Sequence, residues 1–317
     1  GKTNAYAITS ANIGSVLQLS SSHTWGTIQS AVWLPYNGIS NNTLTVTLGS
    51  PLGTLAGGDT ITVNGTYIKD VFNNTTSSNT VTLSKDFDFN LPEGAVSYYK
   101  LDEATGTTAY DSFGANNGTL YNGPVWTAGK FNNALSFDGT DDYVSVPSVN
   151  LSGTTAVTVE FWAYTSSFAN DDKLFLEATA NYNNATTGFM IDPNESTGCG
   201  FAVYLKGDIG YNGACYNRPS SGVWHHYAAI FDKSKLSNEV DLYIDGSLQT
   251  PTSRPSNLNN TNSFGSDPIY FMSRSGSSLF KGGSIDDVAV YNRALTAEEV
   301  LGRYGDYTVT AIARDTS

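Results

Sequence analysis

A loop rich in oxygen-bearing groups runs from residue 111 to residue 118, with the sequence DSFGANNG. Calcium takes about six to eight oxygen ligands from carboxylates, amides and backbone carbonyls. Asp111 and the backbone of Gly114 and Asn116 could supply ligands of this kind. The alternative is that the Asp111 carboxylate caps its own turn without a metal. The loop therefore predicts either a calcium site or a self-capped turn.

A second carboxylate, Asp286, lies in the alternating segment GGSIDDVAVY at residues 282–291. Strand periodicity puts Asp286 on the same face as Val288 and Val290. A carboxylate on an apolar face is costly unless a cation or several hydrogen-bond donors satisfy it. We therefore expect Asp286 either to bind an ion or to accept backbone N–H groups.

A short helix is predicted immediately after this strand. Thr296 can cap it, and Glu299 follows three residues later, which is the spacing of a capping box. Leu295 before the cap and Val300 in the first turn can pack together as a hydrophobic staple. The strand and the helix together would fix the position of Asp286.

The two cysteines, Cys199 and Cys215, are arranged symmetrically about Gly207. An antiparallel hairpin that turns at residues 206–208 would place them opposite each other, and we expect a disulfide between them. Disulfides persist in oxidising compartments, so the pairing favours an extracellular setting. The alternative is a pair of free, buried thiols.

Charge and composition exclude several classes of function. The formal net charge is −13 and only 16 of the 317 residues are basic, so binding to phosphate backbones is not expected. No apolar run is long enough to span a membrane. Thr, Ser, Asn, Gly and Tyr abound, which is typical of strands joined by turns. We expect an all-β fold.

Catalytic and zinc-binding patterns are missing from the sequence. His225 and His226 are adjacent, so on a strand they point to opposite faces and cannot easily share an ion. There is no Gly-x-Ser-x-Gly segment. The chain also lacks the Glu-x-Asp-x-x-Glu strand that jelly-roll glucanases use. We therefore expect no enzymatic activity.

Six segments resemble the laminin-G-like, concanavalin-A-like jelly rolls of bacterial and archaeal surface proteins, and they occur in that family's order. The resemblance covers about residues 93–305 and implies a β-sandwich. It also implies a structural calcium held by Asp111, Gly114, Asn116 and Asp286, since the closing strand lies beside the opening one in such folds. The segments are 98–120, 129–147 (GKFNNALSFDGTDDYVSVP), 157–164, 222–232 (GVWHHYAAIFD), 240–249 and 285–300 (IDDVAVYNRALTAEEV).

The first 90 residues form a separate predicted domain. Residues 50–74, SPLGTLAGGDTITVNGTYIKDVFNN, resemble part of the Ig-like domains of bacterial surface proteins. Only about five strands are evident there, whereas an Ig-like sandwich normally has about seven. We expect residues 306–317 to supply a further strand, either to this domain or to a neighbouring molecule.

These features predict a non-catalytic, extracellular cell-surface protein. One hypothesis is a filament or layer subunit that joins other copies of itself by strand exchange. The alternative is a module of an adhesin or of a polysaccharide-degrading enzyme that binds glycans or matrix proteins. Ligand contacts are expected from residues in loop-like regions, namely Tyr182, Tyr211, Tyr216, Arg218 and Arg274.

Overall fold

The computed structural model describes residues 13–19, 26–36, 39–52, 60–63, 79–82, 91–169, 171–179, 186–304 and 307–312. The chain divides into two compact units. Unit 1 comprises Gly1–Leu91 and Leu301–Ser317, and unit 2 comprises Pro92–Val300. The fold is all-β, as the composition predicts, and its strands pair in antiparallel fashion to form the sheets.

Unit 1 contains two three-stranded sheets within the described residues. The first has the strand order β1-β4-β5 and the second has the order β2-β3-β23, so the first and last described strands, β1 and β23, both pair inside the chain. The Ig-like assignment of residues 1–90 stays a prediction. The elements of unit 1 are α1 (Ile13–Val16), β1 (Leu17–Leu19), β2 (Gly26–Tyr36), β3 (Ile39–Leu52), β4 (Thr60–Val63), β5 (Asn79–Thr82) and β23 (Tyr307–Ile312).

Unit 2 is a sandwich of two large antiparallel sheets. Its strands are β6 (Ala95–Tyr99), β7 (Thr108–Ala109), β8 (Gly118–Tyr121), β9 (Val125–Ala128), β10 (Asn133–Asp138), β11 (Tyr143–Asn150), β12 (Ala156–Tyr164), β13 (Leu176–Ala178), β14 (Phe189–Glu195), β15 (Gly200–Lys206), β16 (Tyr211–Tyr216), β17 (Trp224–Asp232), β18 (Val240–Ile244), β19 (Ser247–Leu248), β20 (Ser253–Ser256), β21 (Ser266–Phe271) and β22 (Gly282–Tyr291). The helix α2 (Ala297–Tyr304) follows β22.

Sheet I has the order β19-β18-β17-β12-β22-β10-β9, and β6 also pairs with β22. Sheet II has the order β20-β16-β15-β14-β13-β21-β11-β8-β7. Val159 and Phe161 from sheet I and Val203 and Phe271 from sheet II belong to one buried apolar cluster between them. The burial of this large apolar surface drives the two sheets together.

The capping box that the sequence predicts is confirmed at the start of α2. The backbone N–H of Glu299 donates to Thr296 Oγ1 at 3.2 Å, and the N–H of Thr296 donates to Glu299 Oε2 at 2.9 Å. Leu295 and Val300 are both buried. These local bonds satisfy two donors that a helix start would otherwise leave unpaired.

A β-bulge in β22 overturns the expectation that Asp286 shares a face with Val288 and Val290. The pairing with β12 shifts register at this point, and Asp287 has a φ of 50°. The extra residue reverses the alternation. Val288 and Val290 therefore enter the core, while Asp286 lies opposite Trp162 on the outer face of sheet I.

Candidate functional site

Asp111 sits in a cage of backbone N–H groups. Its carboxylate accepts hydrogen bonds from Tyr98 (2.9 Å), Phe113 (3.1 Å), Gly114 (2.8 Å) and Asn116 (3.2 Å). A Cβ at residue 114 would lie only 2.6 Å from Asp111 Oδ2, so the cage requires glycine there. Burial raises the pKa of Asp111, but these hydrogen bonds outweigh it and the net pKa is lowered. Four backbone donors therefore stabilise the charged form of this carboxylate.

Asp286 contacts a different loop. Its Oδ2 accepts the N–H of Phe131 at 3.0 Å, and a Cβ on Gly129 would lie 2.6 Å from the same oxygen. Burial, followed by repulsion from Asp287, raises the pKa of Asp286 well above its usual range. The hydrogen bonds of the described residues thus join Asp111 to Gly114 and Asn116, and join Asp286 to residue 131. Calcium at these positions stays a prediction.

Two of the five expected ligand-contact residues have structural partners instead. Tyr216 is 1% exposed and its hydroxyl points to the carbonyl of Val240, so the expectation that it contacts a ligand is wrong. Arg218 Nε donates to the carbonyls of Pro193 (2.9 Å) and Gly200 (3.1 Å), which ties together the ends of β14 and β15.

Tyr211 and Arg274 both lie on the outer face of sheet II, and ligand contacts by them stay a prediction. Tyr211 is 41% exposed. Arg274 Nε lies 3.4 Å from Glu177 Oε1, and its side chain is 30% exposed. Tyr182 lies outside the described residues.

The disulfide between Cys199 and Cys215 is confirmed, with 4.9 Å between the two Cα atoms. Its register differs from the expected one, because Cys215 pairs across the hairpin with Ala202. The hairpin turns later than expected, with the N–H of Gly207 donating to the carbonyl of Gly210. Gly198 and Gly200 both have positive φ, at 99° and 79°, and this bend brings Cys199 back to its partner.

The adjacent histidines contact different carboxylates. His225 Nδ1 lies 2.7 Å from Asp245 Oδ2, and this hydrogen bond is the main cause that raises the pKa of His225. His226 Nε2 lies 3.6 Å from Glu160 Oε2 beneath the outer face of sheet I. The two side chains therefore do not converge on one ion. His23 lies outside the described residues.

A polar cleft of about 440 Å³ opens at the end of unit 2 where β12 ends and β22 begins. Four separate segments line it, at residues 137–139, 165–173, 194 and 280–283. Lys281 Nζ joins two of them by donating to Thr165 Oγ1 at 2.8 Å and to the carbonyl of Gly282 at 3.0 Å. Burial lowers the pKa of Lys281 to about 8.

Asn194 lines the cleft and carries a buried, unpaired acceptor. Its side chain is buried, and Nδ2 donates to Asp171 Oδ1 at 2.6 Å. Its Oδ1 is buried and has no hydrogen-bond partner among the residues that the structure describes. An unpaired buried acceptor costs free energy unless a donor reaches it. Asp171 and Lys173 lie beside it and carry opposite charges into the cleft.

Comparison with known families identifies the family of the jelly-roll domain. The profile of a laminin-G-like family, described as the Concanavalin A-like lectin/glucanases superfamily, matches residues 138–301, just over half of the chain. The chain belongs to this family. The match spans most of unit 2, including every lining residue of the cleft except Phe137, and it confirms the resemblance that the sequence motifs indicate. No curated protein sequence gives a significant match.

Solved structures share this concanavalin-A-like fold at low sequence identity. Domain 4 of AbnA, an extracellular arabinanase from Geobacillus stearothermophilus solved with arabinotriose, is 17% identical with a TM-score of 0.50. The similarity covers 65% of this chain and 96% of that domain. The binding domain of botulinum neurotoxin serotype G is 16% identical with a TM-score of 0.51, over 66% and 50% of the two chains. The binding domain of Paraclostridial Mosquitocidal Protein 1 is also 16% identical with a TM-score of 0.51, over 67% and 52%.

The chain therefore spans about half the length of the two toxin binding domains and nearly all of the arabinanase domain. At this level of identity the likeness concerns the fold alone. Laminin-G-like jelly rolls carry varied functions on one scaffold, so function has to be argued from the site.

Sequence reasoning missed the cleft of this laminin-G-like domain. Phe280 and Lys281 precede the recognised strand motif, and Asn194 lies in a segment that no motif covers. The one available signal was the polar segment 165–173, which interrupts two apolar strands and carries Asp171 and Lys173. The cleft arises only when segments more than a hundred residues apart meet.

Proposed function

We propose that unit 2 is a non-catalytic carbohydrate-binding module that holds a sugar in the polar cleft. The observation that carries this proposal is the free Oδ1 of Asn194, buried at the cleft and facing no donor among the described residues. Once the Asn194 side chain turns toward the cleft, a sugar hydroxyl can donate to that oxygen. Because a polar group that has already lost its hydration gains a full hydrogen bond, the contact favours binding over the empty cleft.

The remaining lining suits a sugar as well. Small-ligand sites combine apolar or aromatic surface with a few polar groups that fix orientation. Here Phe280 supplies a ring, while Asp171 accepts and Lys173 donates hydrogen bonds. A sugar hydroxyl group can both donate a hydrogen bond to Asp171 and accept one from Lys173. The arabinanase domain, solved with arabinotriose, motivates arabinose-containing glycans as the first probes.

The non-catalytic part of the proposal keeps the expectation from the sequence, and Asp138 and Asp171 are the two carboxylates that line the cleft. Glycoside hydrolysis needs two carboxyl groups flanking the scissile bond, one with a raised pKa. Burial raises the pKa of Asp192 to about 7, but its Oδ1 accepts the backbone N–H groups of Lys173 and Asn194. Asp192 therefore holds the cleft wall in place and is not among the residues that line the cleft.

An extracellular location is part of the proposal. The disulfide supports an oxidising compartment. None of the helices in the described residues has the length and apolar composition that crossing a membrane needs. Strand exchange into filaments, expected from the sequence, gains no support because β1 and β23 pair within the chain.

Affinity electrophoresis through gels that contain arabinan, xylan, galactan or cellulose derivatives tests this function. We expect wild-type protein to be retarded by at least one polymer, and Asp171→Ala and Lys173→Ala to restore free migration. Lys235→Ala is the matched control, because Lys235 pairs with Asp241 beyond the opposite end of β17. Failure of the cleft variants to differ from the control would contradict the assignment.

A further inference from the structure

A row of tyrosines crosses the outer face of sheet II. Tyr121 lies directly opposite Tyr143, and their rings stack with centroids 4.8 Å apart. Tyr270 lies beside them, and its cross-strand row continues through Glu177 and Met190 to Tyr204. We call this row the tyrosine strip, which consists of Tyr121, Tyr143, Tyr270, Arg274, Tyr204 and Tyr211.

The hydroxyl groups of the strip tyrosines contrast with those of three buried tyrosines of unit 2. Tyr99 donates to the carbonyl of Asn116 at 2.6 Å, Tyr291 donates to Glu160 at 2.5 Å, and Tyr98 donates to Asp287. The five strip tyrosines donate no hydroxyl hydrogen bond to any residue that the structure describes. Tyr121 and Tyr211, at the two ends of the strip, are 43% and 41% exposed. The strip therefore presents ring surface together with unused donors.

Arg274 occupies the middle of the strip, where the tyrosines are interrupted. Its Nη2 lies 3.2 Å from Met190 Sδ, and its Nε lies 3.4 Å from the buried Glu177. The guanidinium thus contacts both residues, Met190 and Glu177, that separate Tyr270 from Tyr204 in the cross-strand row. Aromatic surface is consequently joined by polar surface along the whole row, and this combination suits a ligand with both apolar ring faces and hydroxyl groups.

The strip is continuous with the cleft. Phe280 lines the cleft and also packs against Tyr143, with ring centroids 6.3 Å apart. From β8 to β16 the strip crosses seven adjacent strands, and their six spacings of about 4.8 Å give a length of roughly 29 Å. A single sugar would fill the cleft and leave this length uncovered.

We propose that the tyrosine strip extends the cleft into a binding surface for a linear, uncharged polysaccharide. The inference rests on the proposed carbohydrate binding and adds the form of the ligand. A polysaccharide with one end in the cleft would run along the strip, with the faces of its sugar rings against the tyrosines. The net charge of −13 disfavours a polyanion, because long-range repulsion would oppose its approach.

Isothermal titration with size series of arabino-, xylo-, cello- and galacto-oligosaccharides, from disaccharide to octasaccharide, tests the strip. We expect affinity in at least one series to rise with length. Tyr211→Ala and Tyr204→Ala should weaken octasaccharide binding about threefold to tenfold and leave disaccharide binding unchanged. Tyr110→Ala is the control, because Tyr110 is 56% exposed and lies off the strip.

Tyr204→Phe and Tyr211→Phe keep the rings, so they preserve packing while removing the hydroxyl groups. A weaker octasaccharide affinity in these variants supports the strip even if Tyr204→Ala fails to fold. Disaccharide binding with no dependence on length would overturn the strip and leave the cleft assignment intact. Octasaccharide binding that the strip variants weaken but Asp171→Ala leaves unchanged would support the binding role of the strip and contradict that of the cleft.

Two further outcomes would also overturn the strip proposal. One is the absence of binding to every series. The other is a strip that mediates self-association, which light scattering would reveal as a dimer mass that Tyr121→Ala converts to a monomer mass.

Discussion

Asn194 donates a 2.6 Å hydrogen bond from Nδ2 to Asp171 and leaves its buried Oδ1 free beside the cleft. The pairing holds the side-chain amide in one direction, and a turn of this side chain would bring the free oxygen toward the cleft. A ligand hydroxyl that reaches it also meets Asp171 and Lys173. The hydrogen bond between Asn194 and Asp171 thus links local packing to the proposed binding of a sugar in the cleft.

The disulfide should contribute substantially to stability. Cys199 and Cys215 are 16 residues apart, and closing a loop of this length stabilises the folded state by about 3 kcal/mol in the chain-entropy account. We expect reduction to lower the urea midpoint of the wild-type protein. The urea midpoint of the double variant Cys199→Ala, Cys215→Ala should not change when reductant is added. Two alkylatable thiols in the unreduced, denatured protein would refute the bond.

Asp111→Ala should destabilise unit 2 by about 1–3 kcal/mol, because buried N–H groups of the cage lose their acceptor. Chemical denaturation in calcium and in chelator measures this loss. A cage that acts without metal gives the same loss in both solutions. A wild-type protein that is more stable in calcium than in chelator, with the difference abolished by Asp286→Ala, would establish the predicted calcium site.

Glu177 should make stability depend on pH. Burial raises its folded pKa to about 7, above its unfolded value, so the folded state binds the extra proton. Stability is then greatest below the unfolded pKa and falls as pH rises through about 7, by roughly 1–3 kcal/mol. Urea titrations at about pH 5 and about pH 8 should show a smaller decline in Glu177→Gln than in the wild type.

The exposed Glu298 provides the control for that experiment. Glu298→Gln should keep the decline of the wild-type protein. An unchanged pH dependence in Glu177→Gln would mean that Glu177 does not carry the effect. Asp192, whose pKa burial also raises to about 7, would then be the next carboxyl to replace.

Features set by neighbours in sequence could be predicted from the sequence. The Thr296–Glu299 capping box depends on four consecutive residues, and it is confirmed bond for bond. The pairing of the two cysteines was also predictable, but its register was not. Periodicity assumes an uninterrupted strand, whereas Gly198 and Gly200 bend the chain before β15.

Features set by distant segments could not be predicted. The predicted face of Asp286 was wrong because β22 contains a bulge at Asp287, whose backbone has a left-handed conformation. The alternation of residue types cannot reveal such a bulge. The cleft depends on Lys281 reaching Thr165, a contact between residues 116 positions apart. Tyr216 was expected at the surface because loops and strands of similar composition cannot be told apart without the sheet register.

The most direct test of the account is chemical-shift mapping of isotope-labelled protein titrated with the shortest oligosaccharide that it binds, beginning with arabinotriose. The account predicts that the side-chain amide of Asn194 and the backbone amides of Asp171, Lys173 and Lys281 shift together, with one binding isotherm. The amides of the distant 207–210 turn should stay unchanged. Shifts confined to residues outside the cleft would contradict the claim that this cleft binds carbohydrate.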